Sequence, residues 1–478
     1  MLDKFKKLIR NKAVLRRASI VTAAILAITY VVAVYTAFNT NLIPGSYLGI
    51  LFLVSFVVTA AVIYFLVTNR IGNKVRVALL VVALLSSLIN IYVYSVGMAT
   101  NSFLRSTQQA SRSYEEYSIV ALKANNISLG TPNQSTGVLK SEPSVDAVKT
   151  EATKLTKAQY TDFDNPTSMM LSLENNDMDM VILKSSYVRL LQELNNNELY
   201  LRLQILATFK VPVTTSGGVV DGDVSRPFAV LISGIDTYGD ISTTSRSDVN
   251  IVAVVNPVTH NILLVNTPRD YYVQLHGTTG VKDKLTHAGL YGVDMSVATL
   301  EDLYGIDIKY NVRINFSSLV NIVDTLGGVD VDSVYNFSAD GYTFTEGKNH
   351  LDGKQALAFS RNRYAFEGGD RTRGQNQMRV IEAIVSKMSS PSTVLNYQQI
   401  LRSLEGTFQT NMSTQDITML MRNQIDSLAK WKVTSTNVDG TGASDVTYSM
   451  GRQKLYVMIP DQASVDSAKS AIRSTLGQ

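Results

Sequence analysis

The chain has 478 residues, enough for two or three domains, and no cysteine, which excludes disulfides, thiolate metal sites and cysteine nucleophiles. Its formal charge of +4 is unevenly placed. Residues 1–97 hold ten Lys/Arg and the single acid Asp3, leaving 34 basic and 39 acidic residues in the rest, so the sequence does not read as a nucleic-acid binder.

Residues 1–17 form a basic arm. Three apolar stretches follow within 18–97, namely Ser19–Phe38, Tyr47–Val67 and Val77–Gly97, none with a charged residue. Each is about 20 residues, the length that crosses ~30 Å of hydrocarbon. Seven cations precede the first stretch, three lie between the second and third, and 39–46 has none. The positive-inside rule therefore predicts a multi-pass plasma-membrane protein with a cytoplasmic N-terminus and everything after about Met98 outside. Tyr30, Tyr35, Tyr92 and Tyr94 suit an interfacial belt, and Asn90 suits a hydrogen bond to a neighbouring helix.

Residues 98–213 read as a small extracellular α+β accessory domain with no clustered catalytic pattern. After a stem over 98–110, the pattern predicts strands at Tyr117–Lys123 and Met178–Leu183. It predicts helices at Ser144–Gln159 and Ser185–Asn196, and a loop over Asn125–Glu142. Residues 214–225, TTSGGVVDGDVS, read as a linker.

The segment 226–478 reads as an α/β domain with a central mixed sheet flanked by helices. Strands are expected at Phe228–Ile235, Asn250–Val255, Ile262–Asn266 and Ile308–Ile314, the second and third as a hairpin. Helices are expected at Val293–Leu303, Leu319–Leu326 and Asp352–Ser360. The tail adds a helix Tyr397–Leu428, strands Trp431–Asn437 and Leu455–Ile459, and a helix Ser464–Leu476.

Phe359–Arg379 organises this domain: it carries Arg361, Arg363, Arg371, Arg373 and Arg379 against two acids and has no lysine. The planar guanidinium fork grips carboxylate or phosphate bidentately. Ile381, Ile384, Val385 and Met388 form an apolar helical stripe, and stepping back by fours reaches Gln377 and Arg373, which should also face inward. A cation there needs a buried carboxylate or an anionic guest, and a guest is the expectation.

Asp236 follows the Phe228 strand, where open α/β sheets bind ligands. An antiparallel hairpin would put Asp248 and Arg269 at one end of the sheet, joined by Asp236 if the Phe228 strand pairs in the right sense. Two carboxylates with several arginines, Arg246 among them, compose a site for a diphosphate with Mg²⁺. Singly, each has a plainer reading: Asp236 as an Asx turn, Arg246 and Asp248 as a surface ion pair, Arg361 and Arg363 as a solvated helix end. The four histidines lack ligand spacing, and His287 suits a structural hydrogen bond.

Taken in order, Gly234-Ile-Asp236, Arg246-Ser-Asp248, Thr267-Pro-Arg269-Asp270, Arg361-Asn-Arg363, Gly369-Asp370, Arg373 and Gln377 resemble the LytR–CpsA–Psr family of Gram-positive bacteria. The three spans and the accessory domain look like its streptococcal capsule (CpsA) branch. The resemblance implies a hydrophobic tunnel for a polyprenyl tail. It also implies Mg²⁺-assisted transfer of capsular polysaccharide from undecaprenyl pyrophosphate to peptidoglycan, with Mn²⁺ as a substitute ion. Carried over by motif, Asp236 and Asp248 bind the metal. Arg246, Arg269, Arg361, Arg363, Arg371 and Arg373, with Gln377, hold the pyrophosphate, and Asp236 or Asp270 accepts the proton. Asn376 and Thr286 depart from the family pattern, which has Arg and Asn there. The competing reading is a non-catalytic lipid-pyrophosphate sensor acting with capsule assembly proteins.

Overall fold

The structure is a computed structural model that describes residues 12–40, 45–68, 70–109, 112–140, 145–193, 198–214, 220, 222–235, 245–362, 369–388, 397–451 and 453–478. Three helices come first, α1 (Lys12–Thr40), α2 (Gly45–Val67) and α3 (Asn73–Gln109), each long and apolar enough to cross a membrane. Ile28, Val31, Leu53 and Leu88 point outward, as expected where lipid rather than water is the neighbour. Ala23, Leu26, Val62, Leu66 and Ala83 fill the seam between the helices. At Gly97 an added Cβ would stand 2.1 Å from Thr36 Cγ2, so a small residue is what lets α3 approach α1. Asn90 Nδ2 makes a long hydrogen bond, 3.5 Å, to Thr29 Oγ1 of α1, the helix-to-helix partner expected of it.

Contacts divide the chain into one unit of Met1–Arg105, Val394–Glu405 and Ile417–Leu428 and a second of Ser106–Thr393, Gly406–Asp416 and Ala429–Gln478. In the first, Ser102 Oγ donates to Glu405 Oε1 (2.7 Å) and Arg402 Nη2 to Ser95 Oγ (3.2 Å).

The second unit contains two main sheets. In the first, β1 (Arg112–Leu122), β2 (Ser135–Leu139), β3 (Gln159–Phe163), β4 (Met180–Lys184) and β5 (Leu203–Thr214) stand in the order β3-β2-β4-β1-β5. Helices α4 (Val145–Thr153), α5 (Pro166–Glu174) and α6 (Ser185–Glu193) connect or follow its strands. Three strands correct the sequence reading. β2 lies inside the expected loop 125–142, β3 takes the end of the expected helix 144–159, and β5 was not anticipated. β2 is short and flanked by polar residues, and its place is decided by pairing with β3 and β4, a tertiary choice that local pattern does not carry.

The strands of the second sheet are β6 (Phe228–Ile235), β7 (Ser247–Asn256), β8 (Asn261–Asn266), β9 (Tyr310–Ile314), β10 (Gln409–Thr410) and β11 (Lys432–Asn437), in the order β10-β9-β6-β7-β8-β11. β6-β7-β8 is antiparallel, whereas β9 joins β6 and β11 joins β8 in parallel, so the sheet is mixed as expected. Alternation along β7 splits the core. Val252 and Val254 pack with Leu300, Tyr304 and Ile472 from the helices Val293–Tyr304 and Gln462–Leu476. On the other face, Ile251 and Ala253 pack with Met378 from the helix Gly369–Met388, here α7. The expected helix 397–428 is instead broken into Tyr397–Leu404 and Thr414–Ser427. Gly406 between them takes a positive φ of 70°, and the strand Gln409–Thr410 pairs with the strand Tyr310–Ile314.

Candidate functional site

Asp248 owes its position to a local irregularity. Gly234 pairs with Val249 but Ile235 pairs with Ser247, so Asp248 is the extra residue of a β-bulge at the end of β7. A bulge bends its strand and re-aims a side chain. Polar neighbours hold it: Ser247 Oγ donates to Asn250 Oδ1 (2.8 Å) and contacts Ser233 Oγ (2.8 Å), and Asn250 Nδ2 donates to the Ser247 carbonyl (3.0 Å). The only sequence signal was a run of polar residues opening an otherwise apolar strand.

Because β7 and β8 are antiparallel, the loop after β8 returns to the same end. Arg269 Nη1 donates to Asp248 Oδ2 at 2.7 Å, and Thr286 Oγ1 donates to Asp248 Oδ1 at 3.0 Å. Thr286, a departure from the family pattern, thus makes a direct contact with the site carboxylate. Arg373, only 5% exposed, reaches the Asp248 carbonyl at 3.5 Å. Burial works against the charge on Asp248. Arg269, Arg373, Arg246 and the Thr286 hydrogen bond outweigh it, and hold the carboxyl below its ordinary value.

A cavity of about 230 Å³ opens beside Asp248. Its polar lining comprises Asp248, Asn315, Ser360, Arg361, Arg373 and Gln377, while Ile235, Val249, Ile314, Phe316, Leu319 and Ile381 are among its apolar walls. Arg373, Gln377 and Ile381 all face it, as the backward extension of the helical stripe required. The stripe does not hold to its end: Met388 is 42% exposed. Close packing of α7 depends on Gly374, where a Cβ would fall 2.2 Å from Asn266 Nδ2 at the end of β8. Arg361 ends the helix Gly353–Arg361 and sits 4.3 Å from the centroid of Phe316, a cation–π contact at the cavity wall. Neither Gly374 nor Phe316 was singled out from sequence.

Of the expected site residues, the structure thus brings Arg246, Asp248, Arg269, Arg361, Arg373 and Gln377 together. Asp236 and Arg363 lie outside the described residues, as does the side chain of Arg371 at the start of α7. Asp270 does not line the cavity: it is buried, pairs with Lys284 and stands 3.7 Å from Arg269 Nε, so its candidacy as proton acceptor is withdrawn. His287 bonds Asp283 at 2.6 Å in the interior, the structural role expected. Asn376 is also buried, donating to the Phe359 carbonyl (3.3 Å).

Among the described residues no cluster of three His, Asp or Glu side chains could cage a metal unaided. Among the described lining residues, Asp248 is the carboxylate that offers hard oxygens. That donor set fits Mg²⁺ in its usual protein setting, one or two carboxylates with ligand phosphates and water completing the shell.

Fold and site define a class: an α/β domain with an arginine-rich mouth over an apolar cavity. The chain belongs to the LytR–CpsA–Psr family, whose match spans residues 204–473. Among similar proteins is the Enterococcus faecalis polyisoprenyl-teichoic acid–peptidoglycan teichoic acid transferase TagU. It is 40% identical over 219 residues, 45% of this chain and 71% of that one. The Bacillus mycoides protein of the same name is 34% identical over 254 residues, 52% of this chain and 80% of that one. The crystal structure of B. subtilis TagU matches at 30% identity and a TM-score of 0.42, over 53% of this chain and 98% of that one. These relatives are named for teichoic acid rather than for capsule.

Proposed function

We propose that this protein is a membrane-anchored phosphotransferase that moves a glycopolymer from an undecaprenyl-pyrophosphate carrier to peptidoglycan on the outer face of a Gram-positive membrane. One observation carries the reading. A buried arginine, Arg373, shares with Gln377, Arg361 and Asp248 a cavity whose other walls are largely apolar. A purely structural ion pair needs no apolar hollow beside it, whereas an amphiphile with an anionic head needs both. The relatives described above are named for the same carrier and acceptor classes.

In this reading the diphosphate lies among Arg246, Arg269, Arg361 and Arg373, with Arg363 and Arg371 nearby in sequence and Gln377 donating, while the tail follows the apolar wall. A hydroxyl of a peptidoglycan sugar attacks the sugar-linked phosphorus. The bond from that phosphorus to the bridging oxygen breaks, and undecaprenyl phosphate departs carrying the negative charge that the arginines stabilise. The hydroxyl proton passes to a carboxylate, for which Asp236 is the remaining candidate. Mg²⁺, or Mn²⁺ in its place, would be held by Asp248 and Asp236 and would neutralise phosphate charge. The transferred polymer is read as capsular polysaccharide, since the three spans and the domain before residue 214 look like the capsule branch of the family. Teichoic acid is the competing polymer.

The test uses the full chain in nanodiscs with an undecaprenyl-pyrophosphate-linked oligosaccharide and peptidoglycan fragments, with and without Mg²⁺. Mass spectrometry should show a saccharide–peptidoglycan adduct that Asp248→Ala and Arg373→Ala abolish. Lipid binding with no adduct, whichever polymer is supplied, would replace this reading with the sensor.

A further inference from the structure

The site carboxylate is tied through the protein interior to the first α/β sheet, about 100 residues earlier in the chain. Thr286, which holds Asp248 Oδ1, belongs to a short helix, Leu285–Ala288, running into a 3₁₀ turn, Gly289–Tyr291. This segment supports the site at three points. Besides the Thr286 hydroxyl, Leu285 N and Thr286 N donate to the carbonyls of Tyr271 (2.9 Å) and Arg269 (2.8 Å), holding the loop that carries Arg269. Gly289 packs against the backbone of Ser245–Ser247, where a Cβ would come within 2.6 Å of Ser245 O and Ser247 N, so it also sets the path of Arg246.

The segment is in turn anchored by Asp283. That fully buried carboxylate accepts from Lys284 N (2.8 Å), His287 Nδ1 (2.6 Å), Ser449 N (2.9 Å) and the Ser449 hydroxyl. Tyr291 OH meets Ser449 Oγ at 2.9 Å, and the Ser449 carbonyl accepts from Tyr187 OH at 2.5 Å. Tyr187 is buried on α6, which follows β4 of the first sheet. Around this joint Leu290 and Met450 enter the apolar core formed by Val181, Leu183, Tyr187 and Leu191. A chain of buried and partly buried hydrogen bonds thus runs from Tyr187 through Ser449, Asp283 and the Thr286 helix to Asp248.

We infer that the first α/β sheet region acts on the candidate site through this chain, with Tyr187, Ser449 and Asp283 as positioning residues that fix Thr286, Arg269 and Arg246 around the diphosphate. The inference rests on the diphosphate reading of the cavity and gives the region before the family match a role in it. A region that served only as a spacer would not need a buried tyrosine hydroxyl donating to the carbonyl of Ser449, the residue that also bonds Asp283, since buried polar groups hold their partners in one geometry at the cost of leaving water.

The test measures binding of geranylgeranyl diphosphate to the full chain in nanodiscs by calorimetry, with thermal midpoints alongside. Tyr187→Phe removes one hydroxyl and should weaken binding about five-fold, the scale of one buried hydrogen bond. Thr286→Val should weaken it by a similar or larger factor. The double variant should bind less weakly than the product of the two single effects, because both substitutions act through the one segment that carries Thr286. If Tyr187→Phe fails to fold, Ser449→Ala is read in the same cycle. Wild-type affinity in Tyr187→Phe, or effects that multiply independently, would overturn the positioning role while leaving the diphosphate reading intact. No binding by the wild type would instead overturn that reading and the inference with it.

Discussion

Asp248→Asn separates the structural work of the site carboxylate from its work on a ligand. The variant keeps the shape of the side chain and removes its charge, leaving Arg269, Arg373 and Arg246 facing one another. The Asp248–Arg269 pair is 2.7 Å apart, with side chains 10% and 17% exposed. At a charge separation of ~4 Å and an effective dielectric of ~20 the attraction is about 4 kcal/mol. Desolvation offsets part of this, but removing one partner strands the other charge, so a loss of about 3 kcal/mol in unfolding free energy is expected near pH 7. The sign of the pH dependence follows from the depressed carboxyl. Asp248 contributes its stability above the ordinary aspartate pKa of about 4, and that contribution is lost as pH falls through its lower folded value. Denaturant titrations from pH 7 to 2 should therefore show the wild type converging on the variant in acid. Binding should respond in the opposite sense: without Mg²⁺ the variant binds a polyprenyl diphosphate more tightly, having lost a competing anion, and with Mg²⁺ it loses the gain that the metal gives the wild type. A stability gap that is absent at pH 7 or constant to pH 2 would refute the electrostatic argument. A Mg²⁺ effect equal in both proteins would refute Asp248 as a metal ligand.

Three further perturbations address the walls of the site. Arg373→Met replaces a buried cation with an apolar chain of similar length; the relieved desolvation is offset by the lost attraction to Asp248, so stability should change by no more than about 1 kcal/mol while diphosphate binding falls at least ten-fold, read by melting and calorimetry. Gly374→Ala forces a Cβ against Asn266, whose Nδ2 donates to Asn437 at 2.9 Å. It should cost about 1–3 kcal/mol and weaken binding by shifting α7, measured by the same two assays. Phe316→Leu removes the ring against Arg361; binding should weaken about two- to five-fold with little change in stability, the scale of an exposed cation–π contact.

Much of this protein was legible in its residues because the relevant physics is local. Charge-free runs of about 20 residues announce helices long and apolar enough to cross a membrane. A period of four carries the apolar stripe of α7 back to Gln377 and Arg373, and the antiparallel logic of one hairpin brings Asp248 to Arg269. What local pattern could not hold was everything that depends on a distant partner. β2, β3 and β5 are strands because of what they pair with, and the helix expected over 397–428 yields to a two-residue strand that completes a sheet edge. The bulge that aims Asp248 is a mismatch of register between two strands, which neither strand encodes alone. Thr286 looked like a departure from a motif and is a ligand of the site carboxylate; Tyr187 looked like part of a remote helix and reaches Ser449, 262 positions along the chain. Sequence alone determined the chemistry of the groups and the periodicity of their elements. Only the tertiary structure decided which groups meet, because burial and hydrogen bonding across such separations are satisfied by the whole chain at once rather than by any segment of it.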